Sequence, residues 1–197
     1  MTTAPGRPRG RPAAASRADV LAAVRRRYLE GERVDLRAIA ADLGLGRATL
    51  YRWFGSREAL LGEVIAAEAT EYFHSVRARV KGRGAPALLE TFDRINRGLA
   101  RSPALRCLLE QEREGALRML TSSAGVVQPA AVAAIASLID DEVRAGAYDP
   151  PVEPATLAYA IVRLAEAFIY NDALAGIRGD VASLREIEAA LLGVASR

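Results

Sequence analysis

Cysteine, histidine and long apolar runs are scarce in this chain of 197 residues, and each shortage argues against a class of protein. The one cysteine, Cys107, has no partner for an internal disulfide, which favours a reducing compartment and hence the cytoplasm. No uncharged apolar stretch reaches the roughly 18 residues that a membrane-spanning helix needs. No apolar segment follows the basic N-terminus either, so we expect neither a membrane span nor a secretory signal.

Residues that usually carry enzymatic chemistry are equally scarce. His74 is the only histidine, and Cys107 is interpreted as a quiet, semi-buried thiol and not as a redox sensor. The chain has no glycine-rich phosphate loop, no cysteine pair and no plausible Ser/His/Asp set. The acidic run Asp140-Asp141-Glu142 would point in three directions from a helix, so it is predicted to be a solvated face. We therefore expect no catalytic residue, no metal, no cofactor and no enzymatic activity.

What the chain does contain is an uneven distribution of charge. Residues 1–60 carry twelve arginines and six acidic residues, whereas residues 61–197 carry fifteen basic and eighteen acidic residues. The net charge of +3 thus combines a basic head with a mildly acidic body. This division indicates that only the N-terminal part meets a polyanion such as DNA. It disfavours a helical binding module that is unconnected with DNA.

Apolar periodicity predicts an all-α chain of about nine helices, because the period-2 alternation of strands is absent. Residues 120–128 are weakly patterned and predicted to be irregular, and a helix is predicted to start at Pro129. The segment from Pro154 to Tyr170 is apolar on most sides, as expected of a helix covered by neighbours. Helix starts are predicted at five capping sites, Ser16, Asp35, Ser56, Ser102-Pro103 and Asp180.

The most informative stretch is residues 34–61, VDLRAIAADLGLGRATLYRWFGSREALL. Two short helices around Gly44-Leu45-Gly46 form a helix-turn-helix, whose second helix can enter a major groove. Arg57, beside the cap Ser56, adds a cation where helix N–H groups already favour phosphate. Apolar residues at the spacing that locks the helix pair are Ile39, Leu43, Leu45, Leu50 and Phe54. Outward positions of the second helix are Arg47, Ala48, Tyr51 and Arg52, with Thr49 and Trp53 at its flanks.

This stretch resembles the DNA-binding head of TetR-type (TetR/AcrR) transcriptional regulators. The resemblance covers residues 17–62, and the remainder only by length and helix pattern. The residues that carry it are Ile39-Ala40, Gly44, Thr49-Leu50-Tyr51 and Phe54, then Ser56-Arg57-Glu58 and Leu60-Leu61. It implies a three-helix DNA-binding head, a helical ligand and dimerisation domain, and a homodimer that a small molecule releases from DNA.

The same resemblance implies a role for each motif position. Two positions depart from the family pattern: Gly46 stands where a capping serine is common, and Trp53 where a smaller aromatic residue or histidine is usual. The first departure weakens the helix start by a few tenths of a kcal/mol. Base contacts are implied for Arg37, Arg47, Ala48, Tyr51 and Arg52, and phosphate contacts for Thr49, Trp53 and Arg57.

The N-terminal arm adds a second possible contact with DNA. Arg7, Arg9 and Arg11 alternate with proline and glycine, which no helix or strand accommodates. Residues 8–12, PRGRP, resemble the AT-hook core, in which arginines enter a narrow A·T minor groove. A disordered tail that adds only counterion release is the other interpretation, and the sequence leaves both open.

These observations predict a flexible basic arm (1–15), a helix-turn-helix domain (16–62) and a ligand-binding and dimerisation domain (63–197). The predicted function is a ligand-released repressor that binds a near-palindromic operator as a homodimer. The two copies are expected to pair through the last two helices. The alternative is an architectural protein that coats A·T-rich DNA through the arm. A small, mostly apolar effector is expected among the middle helices. Candidate ligand residues, chosen by helix phase, are Phe92, Asn96, Glu110, Gln111, Met119, Arg163, Glu166, Tyr170 and Asn171.

Overall fold

A computed structural model of the chain describes residues 15–171 and 181–194. Within those ranges the protein consists of helices and loops without a β-strand, so the predicted all-α fold is confirmed. The described α-helices are α1 (Arg17–Leu29), α2 (Leu36–Asp42), α3 (Arg47–Phe54), α4 (Arg57–Arg79), α5 (Gly84–Arg101), α6 (Pro103–Gln111), α7 (Arg113–Thr121), α8 (Val127–Arg144), α9 (Pro154–Glu166) and α10 (Val181–Leu192). A π-helical turn, Ala167–Asn171, extends α9. Among the described helices, none has the length and apolar character that crossing a bilayer requires.

Side-chain caps begin the helices where the sequence predicts them. The Ser16 hydroxyl accepts a hydrogen bond from the Asp19 N–H, and the Asp19 carboxylate accepts one from the Ser16 N–H, which completes a capping box. Asp35, Ser56 and Ser102 each accept a backbone N–H at the start of α2, α4 and α6. The predicted cap Asp180 lies outside the described residues.

The region predicted to be irregular, residues 120–128, is shorter than expected. Thr121 ends α7, a helix that the sequence analysis did not distinguish, and Val127 already begins α8. The predicted start at Pro129 is therefore wrong by two residues. Proline is tolerated at this third helical position because the first N–H groups of a helix have no intrahelical acceptor.

The described part of the molecule contains two apolar cores. The first is formed by α1, α2, α3 and the N-terminal half of α4, and it also includes Leu105 and Leu108 of α6 and Leu120 of α7. The second joins the C-terminal half of α4 to α5, α8, α9 and α10. Helix α4 belongs to both cores, with Leu61 in the first and Phe73 in the second. A single 23-residue helix thus connects them.

Glu142 links α8 to the C-terminal end of α4, which corrects its predicted place on a solvated face. Its carboxylate is buried, accepts the Gly84 N–H at 2.7 Å and forms a short ion pair with Arg77. Burial alone would raise the pKa of Glu142, but the hydrogen bonds from Arg77 and Gly84 outweigh it and lower that pKa. Gly84 has a φ of +70°, and a Cβ there would lie 2.4 Å from the Ala147 carbonyl oxygen, so only glycine fits beside this clamp.

Within one chain, helix α9 packs against its neighbours along one face only. Leu157, Ala158 and Ile161 are buried in the second core. On the opposite face the Tyr159 side chain is 51% exposed, and Arg163 is exposed as well. The helix therefore has one packed face and one free face in the isolated chain.

Candidate DNA-binding face and internal cavity

The turn between α2 and α3 has the geometry of a helix-turn-helix. Gly44 has a φ of +65°, and the Leu45 N–H donates to the Ala40 carbonyl at 2.8 Å, closing α2. Gly46 begins α3 without a side-chain hydrogen bond, as its lack of a side chain requires. Ile39 and Leu50 are almost fully buried between the two helices, which fixes their relative orientation.

The free face of α3 carries the residues that the sequence places outward. Arg47, Ala48, Tyr51 and Arg52 are exposed, as is Arg37 on α2. The flanking residues Thr49 and Trp53 are half-buried, and the Trp53 ring packs edge-on against Phe54 with the ring centroids 6.4 Å apart. Cations and hydrogen-bonding groups are thus grouped around a small residue on one convex helix surface. Such a surface can approach the base edges of a major groove closely.

Arg57 differs from the other predicted DNA contacts because its guanidinium already has protein partners. Its Nε donates to the Val34 carbonyl at 2.7 Å, and its Nη1 donates to Glu112 Oε2 at 2.7 Å. Glu112 lies between α6 and α7 and also approaches Arg33, with the nearest atoms 3.6 Å apart. Arg57 therefore ties the DNA-binding head to the body, and a phosphate contact would have to use the N–H donors that these two bonds leave. The arm residues Arg7, Arg9 and Arg11 lie outside the described residues.

A cavity of about 510 Å³ lies where α1 meets α4, α5, α8 and α9. Most of its lining is apolar, as in Phe92 and Leu99 of α5, Ile135 of α8 and Ile161 of α9. Tyr28 and Leu29 of α1 also line it, so the cavity wall includes part of the DNA-binding head. The volume lies within the range of roughly 300–1,000 Å³ that is typical of small-molecule sites.

One part of the lining is polar, and we call it the acceptor patch: Tyr28, Glu68, Glu166 and Tyr170. Burial raises the pKa of Tyr28 to about 12, with Glu68 adding to the effect. Burial likewise raises the pKa of Tyr170, which is close enough to Tyr28 and Glu166 for their charges to contribute. Burial raises the pKa of Glu166 to about 7 against the opposing influence of Arg163. Tyr28, Glu166 and Tyr170 therefore form one group with little access to water, and Glu68 lies at its border, paired with Arg25.

The predicted ligand residues divide between the cavity and other places. Phe92, Asn96, Glu166 and Tyr170 line the cavity. Glu110, Gln111, Met119 and Arg163 do not: Glu110 and Gln111 are exposed, Met119 packs against the first core, and Arg163 is paired with Glu166 from outside. The side chain of Asn171 lies outside the described residues.

Sequence reasoning missed two members of the acceptor patch, Tyr28 and Glu68. Tyr28 stands next to the last residue of α1, and a tyrosine near the end of a helix is an ambiguous signal. Glu68 stands directly before Ala69 in α4, and a carboxylate next to an apolar residue was the only hint. Both become recognisable only when α1, α4 and the π-helical turn after α9 are brought together around the cavity.

Comparison with known proteins agrees with this arrangement. Residues 32–64 match the family model "Bacterial regulatory proteins, tetR family", and residues 83–193 match "Tetracyclin repressor-like, C-terminal domain". No curated protein sequence is significantly similar to the chain. The R. erythropolis transcriptional repressor QsdR is 28% identical, with a TM-score of 0.86 over 92% of this chain and 96% of its own.

Two more distant structures share the fold. The repressor AlkX from Dietzia sp. strain DQ12-45-1b, implicated in biodegradation of n-alkanes, is 22% identical with a TM-score of 0.58, over 91% of this chain and 99% of its own. The regulator FadR from Bacillus subtilis, solved with stearoyl-CoA, is 12% identical with a TM-score of 0.52, over 92% of this chain and all of its own.

Proposed function

The chain belongs to the TetR family of bacterial transcriptional regulators, and from that premise we propose that it is a repressor that binds a near-palindromic operator as a homodimer. The observation that carries the proposal is the exposed face of α3, which is held outward because Ile39 and Leu50 are buried in the core that α2 and α3 share. QsdR, the similar R. erythropolis protein, is a transcriptional repressor, which supports repression as the direction of control. Members of this family are DNA-binding regulators and not enzymes.

The proposed base contacts are Arg37, Arg47, Ala48, Tyr51 and Arg52. Arginine can bind the O6 and N7 atoms of guanine with two hydrogen bonds, and the methyl of alanine can contact a thymine methyl. Thr49 and Trp53, at the border of the face, are proposed to contact phosphates. Arg57 is proposed as a phosphate contact that also supports the head from inside.

A homodimer is proposed because two heads are needed to read two half-sites. The free face of α9 carries Tyr159, and that of α10 carries Ile187, which is 39% exposed. These two helices also contact each other within the chain. Pairing them with their copies would form a four-helix bundle and cover both apolar side chains.

An effector in the cavity is proposed to release the operator. The cavity touches α1 of the head and α4, the helix that runs from the head into the body. A ligand that binds better when the heads have one spacing will shift the protein toward that spacing. The apolar lining supports a small, mostly apolar effector.

Selection of duplexes from a randomised pool tests the central proposal. The expected result is a consensus of two inverted half-sites, whereas an architectural protein would enrich A·T content without a consensus. On the selected duplex, Arg47→Ala should cost about 1–3 kcal/mol of binding and relax the preference at one base pair per half-site. An equal loss on selected and random duplexes would mean that Arg47 contacts only phosphate.

A further inference from the structure

The acceptor patch of the cavity indicates what kind of molecule the effector is. We propose that Tyr28, Glu166 and Tyr170 bind the amino group of a lipophilic amine whose alkyl part fills the rest of the cavity. The inference rests on the effector-released function proposed above and adds a chemical class to it. Some polar atoms of the cavity lining already form hydrogen bonds within the protein, and others are free. The free atoms indicate the chemistry of the ligand.

Glu166 offers a free carboxylate oxygen. Its side chain is only 8% exposed, and its Oε2 accepts a hydrogen bond from Arg163 Nη1 at 2.7 Å. The Arg163 guanidinium is half exposed and also donates to the Thr121 carbonyl, so it approaches Glu166 from outside the cavity. Within the described part of the chain, Oε1 of Glu166 has no hydrogen-bond partner. A buried carboxylate with one unused oxygen favours a cationic or hydrogen-bond-donating ligand group.

The two tyrosines offer further acceptors. Neither the Tyr28 hydroxyl nor the Tyr170 hydroxyl has a hydrogen-bond partner among the described residues. Burial raises the pKa of both, so they remain neutral and can accept a hydrogen bond from the ligand. Tyr72, which also lines the cavity, differs because its hydroxyl already donates to the Arg94 carbonyl at 3.3 Å. An ammonium group has three N–H donors, which matches one carboxylate oxygen and two hydroxyls.

The remaining polar lining disfavours an anionic ligand. The Nδ2 group of Asn96 donates one of its two N–H groups to Glu188 Oε1 at 2.9 Å, so this amide can still donate or accept and favours neither sign of charge. Glu68 is bound on both oxygens by Arg25. Among the described residues that line the cavity, Arg101 is the only cation, and it is an exposed residue at the end of α5. Its attraction for a ligand carboxylate is therefore screened by water, whereas repulsion from Glu166 is not.

Three probes with one alkyl chain and different head groups test the proposal: decylamine, decanol and decanoate. Each is titrated below its micellar concentration into the full-length protein and followed by isothermal titration calorimetry. We expect decylamine to bind at least about tenfold more tightly than decanol, and decanoate to bind most weakly. The proposal is overturned if decanoate binds as tightly as decylamine, or if none of the three binds.

Single-residue variants show which side chains produce the preference for decylamine. Glu166→Gln should lower decylamine affinity about tenfold and leave decanol affinity unchanged, because only the charge is removed. Tyr170→Phe should weaken decylamine binding several-fold, whereas the matched control Tyr72→Phe should not. Equal effects of the two tyrosine variants would contradict the proposal, since the Tyr72 hydroxyl is already used. Tyr170→Phe keeps the test available if Glu166→Gln does not fold.

Measuring operator affinity with each probe distinguishes a wrong amine site from a wrong effector-release function. If decylamine binds through Glu166 but leaves operator affinity unchanged, the amine site stands and effector release fails. If decanoate releases the operator and decylamine does not, effector release stands and the amine site is wrong.

Discussion

The Arg57 guanidinium joins three segments of the chain: the loop before α2, the start of α4 and the junction of α6 with α7. Arg57→Gln should lower the free energy of unfolding by about 1.5–3 kcal/mol, because the Val34 carbonyl and the Glu112 carboxylate both lose a charged donor. Urea denaturation followed by circular dichroism measures the change. The control is Arg33→Gln: the Arg33 side chain is 77% exposed and lies 3.6 Å from the same carboxylate, so its loss should cost less than about 0.5 kcal/mol. Equal losses would show that Arg57 is not a structural link.

Glu188 should make stability depend on pH. Its side chain is fully buried in the second core, and its Oε2 has no partner within the described part of the chain. Burial raises its pKa from 4.5 to about 7; the hydrogen bond from Asn96 and the charge of Arg185 oppose this shift, and Asp93 adds to it. Between these two values the folded protein holds a proton that the unfolded chain releases. The stability contributed by that proton is complete below the lower value and is lost as the pH rises through the higher one.

From about pH 5 to about pH 8, the wild-type protein should therefore lose about 1–3 kcal/mol more unfolding free energy than Glu188→Gln. Urea denaturation of both proteins at the two pH values measures the difference. The pKa of Glu166 is raised as well, but Glu166 is present in both proteins, so its contribution to the pH dependence cancels. Parallel pH dependences would mean that Glu188 is ionised in the folded state.

The position of a single residue can be predicted from the sequence when its neighbours in the fold are also close in the chain. The outward position of Arg47 and Tyr51 follows from helix phase within one short unit, and both are exposed. The partner of Arg57 could not be predicted, because Glu112 is 55 positions away and either residue could have been solvated. The acceptor patch was recognised only in part for the same reason: Tyr28 and Tyr170 are neighbours only in the folded chain.

Two glycines within helices differ in the space around them, Gly98 being crowded and Gly115 open, and this difference predicts how tightly the helices pack. A Cβ at Gly98 of α5 would lie 1.8 Å from the Tyr72 hydroxyl, so α5 and α4 approach each other closely only because Gly98 is there. Gly98→Ala should destabilise the protein by about 1–3 kcal/mol through overpacking. Gly115→Ala in α7, where a Cβ meets nothing within 4 Å, should instead stabilise it by about 0.5–1 kcal/mol. Thermal unfolding compares the two, and stabilisation by both would show that Tyr72 can move aside at little cost.

Helix starts were the most predictable elements, because a cap is a local interaction between a side chain and the next turn. The capping box of Ser16 and Asp19 and the caps at Asp35 and Ser56 follow from sequence alone. The separate helix α7 was not predicted, since Glu112 begins it without a side-chain hydrogen bond. What holds α7 in place is burial of Ala116 and Leu120 against the head, which is a tertiary contact.

For the whole molecule, the proposed dimer is tested by charge on its proposed interface. Tyr159→Glu and Ile187→Glu each place a carboxylate on the free face of α9 or α10, and burying it unpaired would cost several kcal/mol. Each variant should shift the mass measured by light scattering after size-exclusion chromatography from dimer toward monomer. Tyr51→Glu, at a tyrosine that is 47% exposed on the DNA-binding face, should leave the mass unchanged. A wild-type monomer, or interface variants that stay dimeric, would contradict the assigned interface.

The first apolar core has a consequence for engineering regulators by exchanging their heads. Leu105, Leu108 and Leu120 belong to the body by position in the chain, yet they complete the core that holds α1 to α3 together. A chimaera cut just after the helix-turn-helix would bring a foreign head against a surface shaped for this one. To keep both halves soluble and responsive, a transplanted head should be combined with matching substitutions in α6 and α7 of the body.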